Sequence, residues 1–167
     1  MIKLEQIERQ DLPKLKKMRN ELRQYFREYR LLNDLNQEDW FEGMSRDTNQ
    51  VMFKVVDEVI LGACGLHYIS WTNRSAEFGI YIGKDYQGQG HAKVALCSLL
   101  EYGFNELNLN RIWGEVYSNN PALQFYKKFG FEIEGRLRET YYNNGWHDSY
   151  IISMLRKDHD QLLEKSN

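Results

Sequence analysis

The chain has 167 residues, with 22 Lys plus Arg against 24 Asp plus Glu and a formal net charge of −2. A balance this even excludes a dedicated nucleic-acid binder, which carries a basic excess. Hydrophobic residues make up 42% and aromatics 14%, enough to bury a core and to exclude general disorder. No apolar run approaches the roughly 20 residues needed to span a bilayer. Charges interrupt Met1 to Glu8 too early for a signal-peptide core. The expectation is one cytoplasmic domain over residues 1–167. Cys64 and Cys97 both sit in apolar stretches and read as two buried thiols rather than a disulfide.

Residues 1–8 alternate as a strand. Asp11, Leu12 and Pro13 open a helix whose apolar spacing runs through Leu15, Met18, Leu22, Tyr25 and Phe26 to about residue 27. A second helix is predicted over 36–46, capped by Asn36, with Trp40, Phe41 and Met44 as its apolar stripe. Val51–Val56 and Val59–Leu66 form a hairpin about Asp57-Glu58, and Glu77–Ile82 is a further strand. A long helix over 91–107 follows, then a strand over Arg111–Tyr117. A helix from Pro121 to Phe129 stops at Gly130. Asn144-Gly145 closes a hairpin between Phe131–Tyr142 and Trp146–Leu155. The charged tail from Arg156 is expected to fray. This order implies helices packed on a mixed sheet in one α/β domain.

The segment Tyr81-Ile82-Gly83-Lys84-Asp85-Tyr86-Gln87-Gly88-Gln89-Gly90-His91-Ala92 ends a strand, crosses a glycine-rich loop and starts a helix. Helix N-termini offer unpaired N–H groups and partial positive charge, which suit phosphate. The dinucleotide fingerprint fails at Lys93, where a third glycine is required. The P-loop fails because Gln89 and Gly90 follow Gly88. What remains is Gln-x-x-Gly-x-Ala, from Gln87 to Ala92. Downstream lies Asn119-x-x-Ala122-x-x-x-Tyr126-x-Lys128-x-Gly130-Phe131.

These two segments, in order and on the predicted elements, resemble the acyl-CoA-binding loop and the Asn/Tyr helix of the GNAT superfamily of N-acetyltransferases. The likeness covers residues 1–155 and is firmest over 76–155. The stretches Glu132–Arg136 and Gly145–Asp148 resemble the branch that holds ribosomal-protein alanine, spermidine and amino-sugar-nucleotide acetyltransferases. The resemblance implies a GNAT-like α/β fold, a mixed sheet of about seven strands flanked by about four helices. It also implies an acyltransferase that moves an acetyl group from acetyl-CoA directly to a primary amine.

By that resemblance the pyrophosphate of acetyl-CoA rests on the backbone of Gln87, Gly88, Gln89, Gly90, His91 and Ala92. The pantetheine arm then pairs along Ile80, Tyr81 and Ile82 as an added strand would, with Asn119 and Lys128 nearby. No metal is implied, and the four histidines show no ligand spacing. Tyr126 matches the family's proton donor to the departing thiolate. A core tyrosine would read the same way. Asn119 serves either the CoA arm or the helix N-terminus. Glu77 is a candidate base or an ordinary strand-end carboxylate, and His67 is a weaker candidate. Proximity of thioester and amine could supply much of the rate without a strong base.

The family's acceptor cleft lies between the first two helices and the last hairpin. Arg19, Arg23, Arg27 and Arg30 fall near one face of the extended first helix. They form either an anion-binding face or a solvated face partnered by Glu21 and Glu28. Three acceptors stay open: an amino-sugar nucleotide, a polyamine served by Asp34, Glu38, Asp39 and Glu42, or a protein N-terminus. A non-catalytic CoA-binding module and a homodimer also stay open. No nucleic-acid or membrane partner is expected.

Overall fold

The computed structural model describes residues 1–166. Seven strands form one mixed sheet in the order β1-β2-β3-β4-β5-β7-β6. They are β1 Lys3–Gln6, β2 Val51–Asp57, β3 Val59–Ser70, β4 Ser75–Ile82, β5 Arg111–Tyr117, β6 Glu132–Tyr142 and β7 Trp146–Leu155. The helices are α1 Leu12–Glu21, α2 Asp34–Arg46, α3 His91–Glu101, α4 Ala122–Phe129 and α5 Arg156–Ser166. Among the described residues no helix is long and apolar enough to cross a membrane.

Each face of the sheet has its own core. On one, Leu66, Phe78, Ile112 and Ile152 pack with Leu96, Leu99 and Leu100 of α3 and with Leu123 and Tyr126 of α4. On the other, Ile7, Leu12, Leu15 and Ala63 gather Trp40, Phe41 and Tyr81. A buried ion pair anchors the second layer: Lys54 Nζ lies 2.8 Å from Asp11 Oδ2, with both side chains nearly covered. The Asp11 oxygen also accepts the Glu8 N–H, so a charged donor and a backbone donor satisfy one buried carboxylate.

Five expectations need correction. The first helix ends at Glu21 instead of running to residue 27, although the apolar spacing continues. Asn20 explains the break: its side chain both donates to Leu32 O and accepts from Leu32 N–H, at 2.9 and 2.8 Å, and folds the chain back. The second helix starts two residues early. Asn33 caps it, and Asn36 returns the bond to the Asn33 N–H in a reciprocal capping box. Replacing Asn33 with Ala is therefore expected to cost about 1 kcal/mol, read as a fall in the urea midpoint at constant slope.

The described part of the tail, Arg156–Ser166, is not frayed but forms α5, a fifth helix. Asp158 accepts the Leu155 N–H at its start, His159 lies over Phe104 with centroids 5.0 Å apart, and Leu162 packs on the core. Finally, Cys64 is buried but Cys97 is exposed on α3. The long helix also changes form at its end, where Tyr102–Glu106 winds as a π turn.

Candidate active site

The site begins with a defect in the sheet. Strands β4 and β5 run parallel, and their ladder has three pairs, from Ser75↔Arg111 to Glu77↔Trp113. Beyond it β4 stays on β3 and β5 stays on β7, so the two strands part. Gly114 sits at the parting. A Cβ there would meet the Phe78 ring at 2.7 Å, so glycine lets that ring stand in the split.

A cavity of about 670 Å³ passes through this split. Its lining draws on both faces of the sheet. Phe78, Val116 and Tyr126 come from the α3–α4 side, and Glu77, Tyr81 and Glu115 from the α1–α2 side. Arg19 of α1, Trp40 of α2 and the crossing segment Tyr25–Leu32 close it from above. Backbone groups of β4 from Phe78 to Ile82 face the gap without a β5 partner, a free edge that an extended ligand can pair with.

At the end of β4 the chain turns through Lys84–Tyr86 into the glycine loop. Gln87 is committed to structure, because its side-chain amide donates to Ile82 O at 2.8 Å and ties the loop to the strand. Gly88 and Gly90 have φ of +74° and +83°, left-handed values that glycine adopts without strain. Gly90 then caps α3. The first amides of α3, at His91 and Ala92, lack intrahelical acceptors, as at any helix start. A Cβ on Gly88 or Gly90 would meet nothing within 4 Å. Conformation, not crowding, requires these glycines. The donors, the positive helix end and the free β4 edge together fit a pyrophosphate joined to a pantetheine arm.

Tyr126 is a core residue with access to the cavity. It packs edge-on against Phe78, with centroids 5.2 Å apart, and it also lines the cavity. Burial raises its pKa, so the phenol keeps its proton. Of the eleven expected cofactor contacts, Ile80 and Tyr81 line the cavity; Ile82 and the loop from Gln87 to Ala92 lie outside its lining, and so do Asn119 and Lys128, which are exposed. Asn120 lines it instead, and its Oδ1 accepts the Ala122 N–H at 2.9 Å at the start of α4. With two adjacent asparagines, spacing alone does not show which one bonds the start of the helix.

Glu77 is 8% exposed and pairs with Arg27 through both carboxylate oxygens. The Arg27 guanidinium also lies 3.4 Å from Glu115 on β5. Burial opposes the charge on Arg27, but hydrogen bonding and attraction from Glu77, followed by attraction from Glu115, raise its pKa overall. Glu115 further accepts the Ser149 hydroxyl at 2.5 Å. The sequence reading missed Glu115. The available signal was a carboxylate inside a core strand, two residues after Trp113 on the same face as Glu77.

The other arginines do not form an anion-binding face. Arg19 lies over Phe26, 3.4 Å from the ring centre. Arg23 sits over Tyr29 at 5.5 Å, and Arg30 pairs with Glu28 at 2.7 Å. His67 also lines the cavity, but burial, then the charges of Arg27 and Arg19, lower its pKa and leave it neutral. The Cys64 thiol is pushed up to about 12 by burial, so it is no nucleophile.

Comparison with known proteins agrees with this geometry. The family model for the acetyltransferase (GNAT) domain matches residues 2–132. Spermidine N(1)-acetyltransferase of Escherichia coli (strain K12) is 32% identical over 169 aligned residues, covering 98% of this chain and 89% of that protein. The putative ribosomal N-acetyltransferase YdaF of Bacillus subtilis is 34% identical over 104 residues, 61% of this chain and 57% of that one. The crystal structure of spermidine N-acetyltransferase from Vibrio cholerae in complex with CoA and spermine superposes with a TM-score of 0.87. It is 30% identical and covers 95% of this chain and 97% of that one. The split parallel ladder, the left-handed glycine loop at a helix start and the buried tyrosine across the gap all lie within the residues that the family model matches, and the chain belongs to the GNAT family of acetyltransferases.

Proposed function

We propose that this protein acetylates a primary amine of a linear polyamine. The observation that carries this reading is the carboxylate pair Glu77 and Glu115, largely buried on adjoining strands where the sheet opens. Four carboxylates (Glu28, Asp39, Glu77 and Glu115) line the cavity against three guanidiniums, and every guanidinium already rests on a carboxylate or a ring. Such a lining favours a cationic acceptor over a diphosphate. The relatives that act on spermidine support the same reading.

Acetyl-CoA, when bound, supplies the acetyl group as a thioester. The amides from Gln87 to Ala92 hold its pyrophosphate, and the β4 edge at Ile80–Ile82 holds its arm. Glu77 and Glu115 hold the acceptor ammonium and orient its nitrogen toward the split. The nitrogen must lose a proton before attack, and a carboxylate beside it accepts that proton directly or through water. Tyr126, on the opposite face of the sheet, donates to the departing thiolate. A thiol with an ordinary pKa near 8.5 is an undemanding leaving group for that donor. Asn120, not Asn119, is the asparagine placed to fix the near end of the arm.

Thiol release from acetyl-CoA, with products read by mass spectrometry, tests the assignment across polyamines, amino-sugar nucleotides and N-terminal peptides. The expected result is turnover highest on spermidine or a similar polyamine. Preference for either other class would overturn the acceptor. CoA binding without turnover on any class would make the chain a binding module. One observation favours the peptide reading: the buried Arg19 Nη1 in the cavity wall lacks a hydrogen-bond partner and suits an acidic peptide group.

A further inference from the structure

Arg27 belongs to no helix or strand. It lies in the crossing segment between α1 and α2, yet its guanidinium reaches Glu77, 50 residues away, and Glu115. It also stands between two cavities. The main one, described above, ends at Phe26, Arg27 and Glu115. A second, of about 500 Å³, starts at the same three residues and runs under the last hairpin, among Tyr29, Tyr117 and Tyr142. Tyr117 and Tyr141 stack there with centroids 4.1 Å apart. Of the three residues common to both cavities, Arg27 is the cation, ion-paired and itself half-exposed.

We infer that Arg27 is a resident cation plug: its guanidinium occupies the seat of the acceptor ammonium, and an incoming polyamine displaces it, joining the two cavities into one channel. This rests on the polyamine reading and deepens it. Glu77 and Glu115 carry two charges against one guanidinium, so the pair retains net attraction for a cation. An uncompensated pair of largely buried carboxylates is costly, which explains why the free protein supplies its own counter-cation. Displacement exchanges one cation for another, so no unpaired charge is exposed in the seat. Once displaced, Arg27 reaches solvent with its flexible stem. The tyrosine faces in the second cavity suit the next ammonium along an extended chain.

Three measurements test the plug. A guanidinium held on two carboxylates gives distinct side-chain NMR signals, and those of Arg27, assigned by their absence in Arg27→Gln, should move to the free-arginine position when spermidine saturates the protein. Calorimetry should show spermidine binding Arg27→Gln at least about fivefold tighter than wild type, about 1 kcal/mol. Methylguanidinium should raise the Tm of Arg27→Ala and leave wild type unchanged, because only the variant has an empty seat. Spermidine that binds while the Arg27 signals stay put would overturn the plug, as would an Arg27→Ala protein indifferent to methylguanidinium. If methylguanidinium protects Arg27→Ala but spermidine binds neither protein, the cation seat stands and the polyamine reading fails.

Discussion

Tyr126→Phe should lower kcat by about 10²–10⁴-fold while the affinity for acetyl-CoA changes little. In the proposed reaction the phenol donates only as the thiolate departs, so its loss acts on the reaction rather than on binding. The substitution keeps the edge-on contacts with Phe78 and Phe131, so the fold should hold. Among the described residues the phenol makes no hydrogen bond that would be lost, and burial raises its pKa. Because burial holds the proton on, ionisation of Tyr126 should cause no fall in activity up to the ordinary tyrosine value of about 10. Steady-state kinetics at saturation in both substrates, with thermal melts of both proteins, would show this. An unchanged kcat would remove Tyr126 from the chemistry.

Gly90→Val should weaken acetyl-CoA binding by about 5- to 150-fold. This follows from the roughly 1–3 kcal/mol that a residue with a side chain incurs in sparsely populated backbone space. At φ +83° a β-branched residue cannot hold the helix-start geometry, so the loop would relax and turn its amides away. Nothing lies within 4 Å of the new Cβ, so the protein should stay folded. Gly90→Asn offers a sharper contrast, because asparagine enters the left-handed region more readily and should lose less. Calorimetry on all three proteins decides the matter. Equal losses for Val and Asn would point to a clash with ligand in place of backbone strain.

The features legible in the sequence share one property: each is local. The strand–loop–helix of Tyr81–Ala92 and the Asn/Tyr helix read directly, because glycine, helix starts and i,i+4 spacing act within a few residues. Seven strands and the Asn144-Gly145 turn were legible for the same reason. What escaped depends on contacts between distant segments. Apolar spacing carried the first helix too far, since only the fold brings Leu32 back onto Asn20. The tail looked solvated until Phe104 and the core gave His159 and Leu162 somewhere to pack. Glu115 and Arg27 are unremarkable in the chain, separated by 88 positions, and acquire meaning only where two parallel strands diverge. Glu77 was legible as a carboxylate near the cleft, but not as half of a pair.

The three-pair junction between β4 and β5 has a mechanical consequence. It divides the sheet into a four-stranded part, β1-β2-β3-β4, and a three-stranded part, β5-β7-β6, joined by that short ladder and by the core packed beneath it. A molecule lying in the split rivets the two parts together. Cellular acetyl-CoA would then set the enzyme's resistance to opening as well as its rate, and an idle enzyme starved of it would be the first to be unfolded and degraded.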